Sequence, residues 1–138
     1  MAHWLFKSEP DAWSWDQQKA KGAKGEPWSG VRNFTAANNM KAMKKGDRGF
    51  FYHSGEERSI VGIVEVIGEY RPDATDEKGR FGLVDVKAVR DVPKHVTLAE
   101  IKANPKFKDM ALVKFSRLSV QPVTDMEWKL ISAMGGIK

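Results

Sequence analysis

Cysteine is absent from the 138-residue chain, and only three histidines and two tyrosines are present. Without thiols there is no disulfide framework, no thiolate metal site and no thiol nucleophile. His3, His53 and His95 stand far apart, without the spacing of metal ligands, so neither a metal nor another cofactor is expected. The sequence has no phosphate-binding loop, dinucleotide fingerprint, H-E-x-x-H or G-x-S-x-G. No segment approaches the roughly 18 apolar residues of a membrane span. The opening M-A-H-W-L-F-K-S-E-P lacks the basic-then-apolar order of a secretory leader. The expectation is a cytoplasmic protein without a membrane partner.

What is present is positive charge and large rings. Lys and Arg number 23 against 18 Asp and Glu, a net charge of +5. A basic chain attracts polyanions through its long-range field, which makes nucleic acid a natural class of partner. The cations are scattered from Lys19 to Lys108 with no basic tail, so any patch must be assembled by folding. Apolar residues make up 41% of the chain, enough for one core. No repeat, low-complexity tract or linker divides it. One domain covering residues 1–138 is expected, as a monomer.

Periodicity and punctuation give the elements. His3–Lys7 reads as an opening strand, and Ser8-Glu9-Pro10 as the turn after it. Three capping boxes, Ser14/Gln17, Thr97/Glu100 and Thr124/Glu127, open helices at Trp15, after Thr97, and through Met134. Asn33 or Thr35 caps a further helix reaching about Lys45. Arg48–Ser54 forms a strand with Phe50, Tyr52 and Ser54 on one face and Phe51 and His53 on the other. Ile60–Glu69 is near-continuously apolar and reads as a strand buried on both sides, with Gly62 and Gly68 allowing a bend. Arg71–Arg80 reads as an exposed loop and Gly82–Arg90 as another strand. Ala111–Val123 reads as one or two strands around a polar turn at Ser116-Arg117. Strands interspersed with short helices predict an α+β fold with a curled or closed sheet.

The stretch Pro27–Asn39, P-W-S-G-V-R-N-F-T-A-A-N-N, gathers groups suited to a flat polar ligand. Gly30 permits the chain to double back, while Ser29 and Asn33 supply short polar groups and Arg32 a planar cation. A ring for stacking could come from Trp28, Tyr52, Phe34 or Trp13. On this stretch alone, Trp28 is more simply a buried residue at a loop-to-helix junction. Trp13 and Trp15, in the first turn of a helix, are read as packing residues. His53 on an aromatic strand is more simply a hydrogen-bonded core or rim residue than a catalyst.

Five motifs occur in one order: W-L-F-K-S-E-P (Trp4–Pro10), W-S-G-V-R-N-F (Trp28–Phe34), G-F-F-Y-H-S (Gly49–Ser54), I-V-G-I-V-E-V (Ile60–Val66) and S-R-L-S-V-Q-P-V (Ser116–Val123). Together they resemble the EVE domain family over nearly the whole chain. The resemblance implies a PUA-like fold, a small curled β-barrel of about five or six strands flanked by short helices. It also implies kinship with YTH domains, which enclose N6-methyladenine in an aromatic cage. The implied function is non-catalytic capture of a modified, methylated base of DNA or RNA. By that analogy Lys7, Ser8, Glu9, Trp28, Ser29, Asn33, Tyr52, His53, Ser54, Arg117, Leu118 and Ser119 line or rim one pocket. Trp28 then becomes a pocket wall rather than only a packed residue.

The sequence departs from YTH domains in one respect. Their cage is completed by later tryptophans, whereas no Trp lies between Trp28 and Trp128 here. Trp128, inside the last predicted helix, is read as core. The competing reading is an enzyme. ASCH domains share the PUA-like architecture, and some hydrolyse RNA or small amides; Lys7, Glu9 and His53 would then serve as acid and base.

Overall fold

Side chains alternate across a strand, and in the opening strand both alternations are apolar. Trp4 and Phe6 enter one hydrophobic cluster, and Leu5 enters a second. The same sorting separates Phe51 from Phe50 and Tyr52. A sheet with two buried faces must be covered twice, so the chain builds three layers.

The structure is a computed structural model that describes residues 2–137. Its strands are β1 (His3–Ser8), β2 (Glu26–Pro27), β3 (Arg48–His53), β4 (Ser59–Pro72), β5 (Gly82–Thr97) and β6 (Val120–Val123). They form one sheet in the order β2-β5-β4-β3-β1-β6. Every neighbouring pair is antiparallel except β1 and β3, which run parallel. Helices α1 (Trp15–Ala20) and α2 (Phe34–Ala42) bury Trp15, Ala36 and Met40 against the Phe6–Phe51 face. Helices α3 (Leu98–Ala103), α4 (Ala111–Lys114) and α5 (Asp125–Met134) bury Ile101, Leu112 and Ile131 against the Leu5–Phe50 face. Trp128 belongs there as well, its ring stacked at 4.1 Å on Phe50. Among the described residues no helix is long and apolar enough to cross a membrane.

The α+β class with six strands is as the sequence predicts, and all three capping boxes form. Closure is not: β2 and β6 are the two ends of an open sheet. Both ends contain proline, Pro27 and Pro122, which has no N–H to extend a ladder. Helix α2 stops at Ala42 rather than Lys45, because the buried Asp47 carboxylate accepts the Lys44 amide at 3.1 Å and fixes a turn. The predicted strand at Ala111 is instead a helical turn. Its bonds run from the Lys114 amide to the Met110 carbonyl and from the Phe115 amide to the Ala111 carbonyl. That winding lets Met110 and Leu112 both enter the second core while Phe115 faces water.

Helix α1 is fixed to the sheet by Trp15. Its indole N–H donates to Asp91 at 2.7 Å, and its amide donates to His53 Nε2 at 2.9 Å. The ring lies over Gly62 of β4, where any Cβ would overlap the indole. Replacing Gly62 by Ala should therefore force the ring out of place and destabilise the fold by about 1–3 kcal/mol. A urea-unfolding midpoint unchanged from the parent protein would contradict this packing.

Candidate functional site

Parallel strands cannot be joined by a tight turn, so the chain between β1 and β3 leaves the sheet and crosses one face. A cleft of about 450 Å³ opens where that crossing begins. Lys7 to Glu9, Ala12 and Trp13 line it from the end of β1; Glu26 to Arg32 line it from the returning loop; Ser119 completes it.

Each lining segment is held by hydrogen bonds. The Glu9 carbonyl accepts the amides of Ala12 and Trp13, both at 2.9 Å. The Ser8 hydroxyl donates to the Trp13 carbonyl. The Trp13 indole N–H donates to Gln18 Oε1 at 2.9 Å, and the buried Gln18 amide donates to the Val86 carbonyl at 3.1 Å. Trp13 is thus half-buried, oriented by a core residue and open to the cleft on one side.

Trp28 sits deeper, at 8% exposure, edge-on to Phe6 at 5.1 Å and Phe51 at 5.6 Å. Its amide donates to the Val84 carbonyl at 2.7 Å. The two readings of this residue coexist, since it packs in the core and lines the cleft.

The loop after Trp28 is clamped by a residue that sequence reasoning assigned to an exposed loop. Asp73 is buried, and its Oδ2 accepts the Gly30 amide at 2.9 Å and the Arg32 guanidinium at 3.2 Å. Its Oδ1 accepts the Thr75 amide at 2.8 Å and the Thr75 hydroxyl at 2.6 Å. Arg32 also donates to the Thr75 hydroxyl at 3.0 Å. Gly30 adopts φ +82°, the left-handed backbone that a doubled-back loop needs. Burial alone would raise the Asp73 pKa. The hydrogen bonds from Thr75, Gly30 and Arg32 outweigh it and hold the carboxyl well below the usual range.

The structure brings together Lys7, Ser8, Glu9, Trp28, Ser29 and Ser119 in this cleft. Lys7 nonetheless holds its ammonium on the Ser116 carbonyl at 2.7 Å, and burial lowers its pKa. Asn33, Arg117 and Leu118 line a neighbouring opening instead, and the Asn33 side chain caps α2 through the Ala36 amide at 2.9 Å. Tyr52, His53 and Ser54 line neither. Alternation along β3 sends the Tyr52 ring to the opposite face, into the second core. Because His53 Nε2 accepts an amide N–H, its proton lies on Nδ1, 2.6 Å from Glu57 Oε2. Ser54 continues the β1–β3 ladder through its amide, bonded to the Ser8 carbonyl at 2.9 Å. Among the described residues no cluster of His, Asp and Glu is arranged to hold a metal.

Trp13, Glu26 and Asp73 are the contributors that sequence reasoning set aside or missed. The Asp-x-Thr spacing at Asp73–Thr75 is the local signature of a side-chain-closed turn, and it was the available signal.

The architecture defines the class first. A YTH domain from Zygosaccharomyces rouxii, solved with N6-methyladenosine RNA, has the same fold at a TM-score of 0.58 and 18% identity, covering 97% of this chain and 86% of that one. Residues 2–134 match the EVE domain family, and the chain belongs to that family. A crystal structure of an Agrobacterium tumefaciens protein aligns at a TM-score of 0.96 and 54% identity, over 99% of this chain and 94% of that one. Human thymocyte nuclear protein 1 is 32% identical over 96% of this chain and 73% of its own length. The crystal structure of human THYN1 in complex with 5-methylcytosine-containing DNA aligns at a TM-score of 0.93 and 31% identity, over 100% of this chain and 99% of that one.

Asp73 makes the loop pH-sensitive in a defined direction. A folded-state pKa below the unfolded value of about 3.9 contributes stability that is complete above that pH and lost as pH falls below it. Asp73→Asn should destabilise the protein by about 2–3 kcal/mol at neutral pH. The difference from the parent should shrink on acidification below about pH 4, measured by chemical unfolding across that range. A difference that stays constant with pH would contradict the role assigned to the carboxylate.

Proposed function

We propose that this chain is a non-catalytic nucleic-acid-binding module that captures a methylated base in the cleft between Trp13 and the Trp28–Arg32 loop. The human relative solved with 5-methylcytosine-containing DNA, alike along the whole chain, is the observation that carries this reading. The chemistry of the cleft supports it. Trp13 offers the face of a ring to a base that has left its stack. Pro27, Trp28 and Val31 add apolar surface for a methyl group.

Two carboxylates, Glu9 and Glu26, line a cleft in an otherwise basic protein. Carboxylates repel phosphate and accept hydrogen bonds from an exocyclic amino group. The proposed ligand edge is therefore that of cytosine or adenine, with the sugar-phosphate left to cations at the rim. One copy of the chain suffices, since every group invoked comes from a single protomer.

The placement of His53 favours this reading over the hydrolase one. His53 lies outside the cleft, with one ring nitrogen accepting the Trp15 amide and the other facing Glu57. Protonating Nε2 would release the start of α1 rather than serve a substrate.

The test is fluorescence anisotropy with oligonucleotides carrying one 5-methylcytosine or one unmodified cytosine. The methylated strand should bind more tightly. Trp13→Ala should weaken it about tenfold or more, with little change in melting temperature. Trp28→Ala is a poorer probe, because removing a ring packed between Phe6 and Phe51 should destabilise the fold by about 3–5 kcal/mol. Equal affinity for both strands, with Trp13→Ala binding like the parent, would sink the proposal.

A further inference from the structure

A second opening, about 440 Å³, adjoins the first. Consecutive residues divide the two: Arg32 and Ser119 line one, Asn33 and Leu118 the other. Lys7 joins them, lining the first cleft while its ammonium holds the Ser116 carbonyl of the second.

Phe115 lines this second opening and is 57% exposed, with no ring partner among the described residues. A lone exposed ring needs no explanation by itself. This one sits on a prepared mount. The fully buried Gln121 donates its side-chain amide to the carbonyls of Phe115 at 3.3 Å and Leu118 at 2.8 Å. The turn bearing the ring is therefore fixed from below. Arg117 is exposed and forms no ion pair among the described residues. Lys114 pairs only with Asp109, at 3.5 Å, with both side chains more than half exposed. Ring and cations line one opening with the hydroxyls of Thr35 and Ser116. Such a set can stack one base and hold one phosphate.

We infer that the second cleft receives the nucleotide next to the captured base on the same strand. Its base stacks on Phe115, and the phosphate between the two nucleotides lies at Arg117. The inference rests on the proposed function and deepens it, because the first cleft takes the modified base and the second reads the presence of a neighbour. Stacking tolerates any base, so this subsite adds affinity with little sequence preference.

The probe is a short single-stranded DNA with one 5-methylcytosine, and two versions of it lacking the base on the 5′ or the 3′ side. Phe115→Ala should weaken binding of the intact strand about tenfold. One of the two abasic strands should bind the parent protein about as weakly, and Phe115→Ala should not weaken that strand further. Phe115→Tyr, which keeps a ring, should restore affinity. Arg117→Gln should lower the slope of log affinity against log salt by about one. Trp13→Ala should weaken all three strands alike.

The inference is overturned if Phe115→Ala leaves the intact strand unaffected or weakens all three strands equally. If methylated and unmethylated strands bind alike while the Phe115 and abasic losses still fail to add, the first-cleft reading falls and the second cleft stands as a stacking site. If the parent protein binds none of the strands, both readings fall.

Discussion

The parallel pairing of β1 with β3 is the constraint on which the rest depends. In an otherwise antiparallel sheet it obliges residues 9–47 to travel over one face, adding the short β2 to the far edge on the way, before β3 can begin. That detour carries both α1 and the Trp28 loop, and the gap between its outward and return paths is the cleft. Pairing from Ser8 to His53 sets where the detour starts. The Ser8 hydroxyl, placed by that pairing, then orients the Trp13 backbone. Strand register is thereby transmitted directly to a side chain at the site.

The tryptophans divide by depth rather than by motif. Trp4, Trp15 and Trp128 satisfy their surroundings within the fold: Trp4 donates to Asp47 at 3.0 Å, Trp15 to Asp91, and Trp128 stacks between His3 and Phe50. Trp28 is mostly of this kind. Trp13 differs because its indole nitrogen is tied to a buried glutamine while the ring remains half-buried beside an open volume. A ring locked at its polar end has little side-chain freedom left to lose, and the Lys21 ammonium lies over it at 6.0 Å from the centroid.

Much of the fold is legible in the sequence because local chemistry dictates it. The three capping boxes fix helix starts, and the aromatic alternation of β3 foretells a sheet buried on both sides. Ala111–Lys114 is not legible, because three apolar residues and a lysine carry no period that separates a strand from one helical turn. Half of the residues that the resemblance implied line one cleft. Tyr52 diverges because the pleat sends it to the opposite face, and His53, though on the Phe51 face, diverges because the Trp15 amide and Glu57 take both its ring nitrogens. Asp73 escapes because its partners, Gly30 and Arg32, lie more than forty positions away and only folding makes them neighbours.

The proline at each end of the sheet has a further consequence. Copies of a protein with an open sheet meet one another whenever they are concentrated. Unpaired sheet edges are then templates for strand-to-strand polymerisation. Here one edge is a two-residue strand containing Pro27 and the other a four-residue strand containing Pro122. Neither terminal strand presents a run of free amides long enough to recruit a neighbouring strand.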